Sequence, residues 1–333
     1  MKNIFLIATT FLVVAVLNAQ DYEARYQASN ESGNHYTNSK KSHDVEGKKS
    51  EGHEEGWALE GGINPMFGQA TFNDKWVGGG TSDISGGVTI LSVFNYKKEK
   101  LIFDNEILAD YGIARDSRDG RIIHKTNDKL EVNSLLGLRI KELTSVYYSM
   151  FFNFKTQFDK GYKYKEDEFG DEYKIETSHI LSPADIKVGP GMLWKKSEHF
   201  FLNISPAAGR LTIVDKDFTR VDLHDEEAME HYEHHKYFGV EANKASLFEF
   251  GATLRFFSKF EIMKDLSVSN SIELYSNYLE APQNVDVNYN MSLMMMIGKH
   301  LSTSFVFESI YDDDAIGGLQ IREGFGLGVN YEF

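Results

Sequence analysis

The 333-residue chain contains no cysteine. This absence excludes disulfide bonds, thiol nucleophiles and metal sites with cysteine ligands. After residue 20 the sequence also lacks an unbroken apolar run of about 18 residues, so helical membrane spans are not expected. Basic residues are scarce, with 35 Lys and Arg against 50 Asp and Glu. The resulting net charge of -15 argues against nucleic-acid binding, which needs stripes of Lys and Arg, and favours attraction of cations.

Residues 1–19 have the features of a secretion signal peptide. Lys2 supplies a positive charge, residues 4–17 are almost entirely apolar, and the small Ala19 lies at the expected cleavage point. The mature chain would then begin at Gln20. A membrane anchor is the weaker interpretation, because the apolar run is shorter than a spanning helix.

Residues 20–56 form a polar segment rich in Ser, Asn, Lys, Glu and Gly. With almost no aliphatic side chains, this segment cannot bury enough apolar area to offset the chain entropy lost on folding. We therefore predict that it is disordered in the periplasm. The alternatives are a periplasmic tether and a small plug.

From Trp57 onward, apolar and polar residues alternate, most clearly in the last segment. Successive side chains of a strand point to opposite faces, so this segment has one apolar face and one small or polar face. A transmembrane barrel strand needs both faces, with lipid outside and a polar lumen inside. The final Phe333 resembles the signal by which the assembly machinery inserts outer-membrane barrels. The apolar face contains Phe325, Leu327, Val329, Tyr331 and Phe333, and the other face contains Gly326, Gly328, Asn330 and Glu332.

Repetition of this alternation predicts about 12 strands, with 10 to 14 possible. Most of the strands exceed the 9–11 residues that a tilted membrane strand needs, whereas soluble β-sandwiches prefer strands of about 5–6 residues. The connections alternate between short turns and longer loops, which is typical of outer-membrane barrels. The predicted strands are 58–73, 83–97, 100–114, 128–142, 144–158, 184–196, 199–213, 246–260, 264–279, 284–298, 300–312 and 320–333.

The sequence therefore predicts an all-β chain in which residues 57–333 form an antiparallel transmembrane β-barrel of the cell outer membrane. The longer loops would be extracellular and the short turns periplasmic, and an even strand number would place both termini in the periplasm. The expected partners are outer-membrane lipid and lipopolysaccharide, and the barrel-assembly machinery during insertion. No nucleic-acid partner is expected.

Several local motifs occur along the chain, and their order and spacing are more informative than any one of them. The motifs are Trp76-Val77-Gly78-Gly79-Gly80, Gly161-Tyr162, Ser182-Pro183-Ala184, Pro206-Ala207-Ala208-Gly209-Arg210 and Tyr311-Asp312-Asp313-Asp314. Together with the strand that ends at Phe333, they resemble a Bacteroidota envelope family called "domain of unknown function 3078". The resemblance covers about 57–333. It implies an outer-membrane barrel and supplies no activity or catalytic residues.

The densest group of ionisable residues lies at 224–235, in the longest predicted loop. If this stretch is helical, residues spaced by four would share a face, and imidazole with carboxylate suits Zn²⁺ or another divalent transition metal. A solvated acidic loop is the alternative, and no HExxH motif supports a zinc protease. The candidate ligands are His224, Glu227, Glu230, His231, His234 and His235.

A second candidate cation site is the acidic run Asp312, Asp313 and Asp314 in a predicted loop. Clustered carboxylates could hold Ca²⁺ through their oxygens. The alternative is an ordinary turn, where Asp is favoured for its local backbone hydrogen bonds.

Enzyme activity is not predicted. His179 and Ser182 are close in sequence, but there is no GxSxG elbow and no barrel-phospholipase signature, and an outer-membrane hydrolase is the least favoured function.

The predicted strands carry charges of both signs on their polar faces, which could mean a wet, selective pore or a lumen closed by salt bridges. The favoured function is passage or binding of small polar solutes, possibly cationic, whose identity the sequence does not give. The alternative is a closed structural barrel whose loops bind a partner or metal. The predicted lumen charges are Asp104, Glu106, Asp110, Glu131, Arg139, Lys141, Lys155, Glu249, Arg255 and Glu273.

Overall fold

The computed structural model describes residues 55–70, 83–116, 123–140, 145–166, 172–298, 300–312, 319–329 and 331–332. The predicted signal peptide and residues 20–54 of the predicted polar segment lie outside these ranges. Among the described residues, no helix is long and apolar enough to cross a membrane.

β-Strands dominate the described residues. They are β1 (Gly56–Ala70), β2 (Asp83–Lys98), β3 (Leu101–Asp116), β4 (Ile123–Arg139), β5 (Val146–Thr156), β6 (Gly161–Glu166), β7 (Glu172–Ser178), β8 (Ala184–Ser197), β9 (Phe200–Ile213), β10 (Ser246–Met263), β11 (Leu266–Asn277), β12 (Asp286–Ile297), β13 (Leu301–Tyr311), β14 (Gln320–Val329) and β15 (Tyr331–Glu332). The helical elements are α1 (Glu226–His234) and two short 3₁₀ turns, Lys216–Thr219 and Tyr237–Gly239.

The strands close into an antiparallel barrel of twelve. Neighbours in sequence pair around the wall, except that β5 pairs with β8 and leaves β6 and β7 as a separate hairpin. Both β14 and β15 pair with β1, at Met66↔Gly328 and Ile63↔Tyr331, so they act as one wall strand that closes the barrel. The predicted fold class is confirmed.

Predicted and observed strands agree closely along most of the wall. β8 (Ala184–Ser197) and β9 (Phe200–Ile213) differ from the predicted 184–196 and 199–213 by one residue. β4 starts earlier than predicted, at Ile123, because its polar first residues continue to pair with β3 beyond a register shift at Gly112. The region 159–183, predicted to be a loop, contains the β6–β7 hairpin.

The barrel has an apolar outer surface and a polar interior. Phe325 and Tyr331 are 75% and 64% exposed on the last wall strand, whereas Glu131 and Glu249 are 3% and 2% exposed. This inversion of the usual soluble pattern confirms the predicted faces, because period-2 alternation sends every second side chain inward. The charged side chains of the wall strands are therefore concentrated in the lumen.

One glycine is required by a close approach between wall strands. The pairing of β10 with β9 shifts register between Gly251 and Thr253. A Cβ atom on Gly251 would overlap the backbone carbonyl of Ser276 on β11. At this bulge, the backbones of β10 and β11 therefore lie so close together that only glycine fits at position 251.

Candidate functional site

The lumen has two ends that differ in their connections. We call the end with the connections 99–100, 198–199 and 264–265 the turn end, and the end with 157–183 and 214–245 the loop end. Charged side chains form three layers between these ends, and each layer contains a basic residue bonded to acids on strands other than its neighbours.

At the turn end, Lys195 on β8 is the central residue. Its Nζ lies 2.6 Å from an Asp104 carboxylate oxygen on β3 and 2.8 Å from Glu198. β8 and β3 are separated in the wall by β5 and β4. The Lys195–Asp104 contact therefore crosses part of the lumen.

The middle layer is centred on Arg255 of β10. Its Nη2 donates to the Asn133 side-chain oxygen on β4 at 3.0 Å, although three strands separate β10 from β4. Its Nε lies 3.5 Å from Glu273, which is also 2.6 Å from Lys187 Nζ. Its guanidinium also lies over the ring of the buried Phe151, at 5.7 Å.

The acid beside this layer, Glu131, is held by amides as well as by a base. Asn153 Nδ2 donates to it at 2.8 Å and Asn133 Nδ2 at 3.2 Å. Lys129 Nζ lies 3.3 Å away. Such complete bonding is what a buried charge requires, because an unpaired one loses its hydration without compensation.

At the loop end, Arg210 of β9 is surrounded by four carboxylates. Its nitrogens lie 3.1 Å from Asp185, 3.4 Å from Glu249, 3.4 Å from Asp286 and 3.7 Å from Asp312. These acids come from four different parts of the wall, so a single guanidinium links β8, β10, β12 and the end of β13. The layer carries a surplus of negative charge.

Sequence reasoning found part of this network. Asp104, Glu131, Glu249, Arg255 and Glu273 are in the lumen, as predicted. Arg139 instead lies at the turn end, where it donates to the Glu99 carbonyl at 2.8 Å, and Lys141 lies outside the described residues. The alternation in β8, β9 and β12 would have identified the residues that were missed, which are Asp185, Lys187, Lys195, Arg210 and Asp286.

An open cavity lies on the turn-end side of the middle layer, with an empty volume of about 950 Å³ that includes space open to solvent. Its apolar walls come from Leu91, Val93, Leu135, Phe201 and Phe257. Charged groups at its surface are Glu60, Asp104, Glu106, Lys195, Glu198 and Arg255. The cavity is thus an amphiphilic chamber within the lumen.

A cap covers the loop end beside β5, β8, β9 and β10. It consists of the β6–β7 hairpin and the 214–245 connection, which contact each other. Tyr237 OH donates to the Thr177 carbonyl at 2.8 Å, and the Tyr237 ring stacks on Phe218 at 4.8 Å. The Asp215 backbone N–H donates to Ser182 Oγ at 2.8 Å. These contacts tie two long connections into one unit.

His179 and Ser182 lie in this cap, in an arrangement that does not match a hydrolase. His179 Nδ1 lies 3.0 Å from Glu176 and its Nε2 lies 3.3 Å from Asp215. Ser182 is 1% exposed and its Oγ accepts the Asp215 N–H, whereas both ring nitrogens of His179 lie beside carboxylates instead. A hydrogen bond from Lys160 lowers the pKa of Glu176, and the bond to His179 lowers it further.

The predicted metal ligands of the 224–235 stretch lie on and beside α1. Asp225 caps the helix by accepting the Ala228 N–H at 3.0 Å. The rings of His231 and His235 stack at 4.7 Å, and His235 Nδ1 lies 3.0 Å from the His231 carbonyl oxygen. Within the described ranges, no three His, Asp or Glu side chains converge to hold a metal ion. Binding of a divalent cation by His224, Glu227, Glu230, His231, His234 and His235 stays a prediction.

Of the second candidate cation site, only Asp312 lies within the described residues. It faces Arg210 at 3.7 Å and thus belongs to the loop-end layer. Asp313 and Asp314 lie outside the described ranges.

A family model with the description "Protein of unknown function (DUF3078)" matches residues 67–162. The match runs from β1 to β6 and spans less than half of the chain. It confirms the resemblance for this region and leaves the later motifs, such as Pro206 to Arg210, outside it. No curated protein matches the sequence.

Solved barrels resemble the chain only distantly. An outer-membrane channel from Pseudomonas putida F1 is 11% identical with a TM-score of 0.37, over 87% of this chain and 99% of that one. The translocator domain of the autotransporter NalP from Neisseria meningitidis is 10% identical with a TM-score of 0.36, over 84% and 90%. The P. putida toluene transporter TodX is 9% identical with a TM-score of 0.28, over 84% and 89%.

Proposed function

We propose that this chain is an outer-membrane barrel that admits small polar solutes, preferentially cations, into its lumen. The observation that carries the proposal is the inverted distribution of side chains, with apolar residues outside and a net acidic lumen. The same arrangement favours a non-enzymatic role, since the interior charges of the described residues bond to one another and none of these is arranged as a nucleophile with its base.

The charge of the lumen supports the preference for cations. Acidic side chains outnumber basic ones among the described inward-facing residues, and the surplus is largest around Arg210. Low-dielectric walls focus such a field and raise the local concentration of counter-ions. The acids include Glu60, Asp104, Glu106, Asp110, Glu131, Asp185, Glu249, Glu273, Asp286, Glu308 and Asp312, and the bases include Lys129, Lys155, Lys187, Lys195, Arg210 and Arg255.

The membrane location rests on the outer surface and the strand lengths. β8 and β9 have 14 residues each, whereas a tilted spanning strand needs about 9–11. Aromatic and aliphatic side chains cover the outside, where a charge would be costly. With twelve strands, both ends of the barrel segment lie at the turn end, which in this proposal faces the periplasm.

Single-channel recording in planar bilayers tests the proposal. The full-length protein, under a salt gradient of KCl, should give a reversal potential of the sign expected for cation preference. Glu249→Gln, which removes one loop-end acid, should reduce that preference, and the exposed Glu261→Gln should leave it unchanged. Absence of current in both polarities, or preference for anions, would contradict the proposal.

A closed barrel whose loops bind a partner is the second candidate. The contacts that cross the lumen favour it, in particular Arg255 with Asn133 and Lys195 with Asp104. The same bilayer experiment separates the two candidates, because a closed barrel would carry no current.

A further inference from the structure

We propose that the turn-end cavity is a binding site for a primary alkylammonium, an organic cation that joins a charged amine to a short apolar chain. The inference rests on the proposed function and specifies the solute class of the same lumen. It is carried by two carboxylates that flank an apolar wall within the cavity.

Strand register places these carboxylates. Glu60 on β1 pairs with Val93 on β2, Val93 pairs with Glu106 on β3, and Glu106 pairs with Asn133 on β4. The four residues therefore form one row across the wall at the same height. Strands lie about 4.7–4.9 Å apart, so the backbones of Glu60 and Glu106 are separated by about 10 Å, with the apolar Val93 between them.

The bases of the cavity already have acids of their own. Lys195 contacts Asp104 and Glu198 at 2.6 and 2.8 Å. Arg255 contacts Glu273 at 3.5 Å, on the side of the middle layer. Among the residues that the structure describes, no lysine or arginine forms a direct ion pair with Glu60 or Glu106, although Asn133 donates a hydrogen bond to Glu106 and the charges of Lys129 and Arg255 act on it from a longer distance. Glu60 and Glu106 are therefore the carboxyl groups of the cavity that a bound cation could reach without displacing a lysine or arginine.

The apolar walls select among cations. Leu91 and Phe257, at 5% and 2% exposed, line the cavity together with Leu135 and Phe201. A hydrated inorganic cation gains nothing from such walls, and an anion would meet two carboxylates. An alkylammonium can place its three N–H donors at Glu60 or Glu106 and its methylenes against the aliphatic and aromatic wall.

The probe is n-butylammonium. Methylammonium keeps its charge but lacks the apolar chain, and n-butanol keeps the chain but lacks the charge, so these two compounds are the controls. Isothermal titration of the full-length protein in detergent should show n-butylammonium binding roughly tenfold or more tightly than methylammonium, since three methylenes are buried. Butanol, which lacks the charge, should bind at least as weakly as methylammonium.

Isosteric variants identify the site. Glu106→Gln should weaken n-butylammonium binding by about tenfold, as expected for loss of a charged hydrogen-bond partner. Glu60→Gln is the second variant and should act in the same direction, which protects the test if one of the two fails to fold. The exposed turn-end variant Glu261→Gln controls for general surface charge and should bind as the unmodified protein does.

The results separate this inference from the proposed function. Equal affinities for n-butylammonium and methylammonium, equal affinities for butylammonium and butanol, or unchanged binding in both cavity variants would overturn the site. A cation-selective reversal potential measured on the same preparation would still uphold the proposed function. Loss of that selectivity would instead overturn the proposed function itself.

Discussion

The lumen has two halves with different side chains. The half formed by β3, β4, β5 and β8–β11, which we call the paired half, contains the lysines and arginines of the three charged layers, each with an acid nearby. The other half, formed by β12–β15, β1 and β2, is lined largely by small and amide side chains. We call it the small-residue half. Gly326, Gly328, Ser292 and Ser302 are among its inward residues.

Ion pairing separates the halves further. In the paired half, Glu131 has three partners and Arg210 has four acids around it. Buried side-chain atoms without a hydrogen-bond partner among the described residues occur in both halves, for example at Thr253 in the paired half and at Asn64, Asn288 and Asn290 in the small-residue half. Buried polar atoms in proteins are satisfied by protein or by water. Both halves therefore offer sites for water, and they differ in ion pairing: the paired half has a frame of cross-linked charges, and the small-residue half has smaller, less charged side chains.

The largest expected effect comes from breaking the frame. Arg255→Met should lower the free energy of unfolding by roughly 3–5 kcal/mol, because Glu273 loses one of its bases and Asn133 loses a donor inside the barrel. Ser292→Ala, in the small-residue half, should lower it by less than about 1 kcal/mol. Urea unfolding in lipid bicelles measures both. Similar losses in the two halves would refute the division.

We also expect solutes to pass along the small-residue half of the lumen. Gly326→Leu adds a side chain to the small-residue half, where a new Cβ would meet Met66 Sδ at 3.5 Å and Ser304 Oγ at 3.6 Å, both ordinary contacts. The barrel should fold normally, and the single-channel current should fall by roughly half or more as the path narrows. Val329→Leu adds volume to the outer face of the same strand and should leave the current unchanged. An unchanged current in Gly326→Leu would contradict this prediction and indicate that solutes pass along the paired half instead.

The wall of the barrel was predictable from the sequence, and the division of its lumen was not. Alternation fixes which side chains point inward, so Asp104, Glu131 and Arg255 could be assigned to the interior. Which acid contacts which base depends on how the barrel closes and on the shear between strands that are far apart in sequence. Asp104 and Lys195, for example, are separated by 91 residues. No local pattern contains that information.

The cap illustrates a second limit. The strands of the β6–β7 hairpin have only 6 and 7 residues and several charged ones, so they lack the long apolar stripe that marks a barrel strand, and 159–183 was predicted to be a loop. The helix in 214–245 was expected only conditionally, from the spacing of Glu227, His231 and His235, and α1 ends one residue before His235. Both elements lie over the paired half, where they depend on contacts with each other.

A smaller effect is expected from protonation of Glu176 in the cap. The Lys160 hydrogen bond, and then His179, lower the pKa of Glu176 below its ordinary value of 4.5. A carboxyl whose pKa is lowered by folding stabilises the folded state above its ordinary pKa and loses this contribution as the pH falls through the lowered value.

Hydrogen exchange of the β6–β7 amides should therefore accelerate by a factor of a few between pH 7 and pH 3, after correction for intrinsic rates. Lys160→Met should remove most of the acceleration, while the wall amides of β12 and β13 serve as an internal reference. Equal acceleration in hairpin and wall would mean that acid loosens the whole barrel instead of the cap.

The smallest expected effect is metal binding by the outer surface of the cap. His231 and His235 present stacked rings on one side of α1, and His235 uses Nδ1 toward the His231 carbonyl, which leaves its Nε2 for a ligand. Two imidazoles without a third converging group should bind Zn²⁺ only weakly, because structural zinc sites use four ligands. Calorimetric titration should give a small heat that disappears in the triple variant His231→Gln, His234→Gln, His235→Gln. Equal heats from both proteins would assign the binding elsewhere, and the acid surplus around Arg210 at the loop end would then be the place to examine.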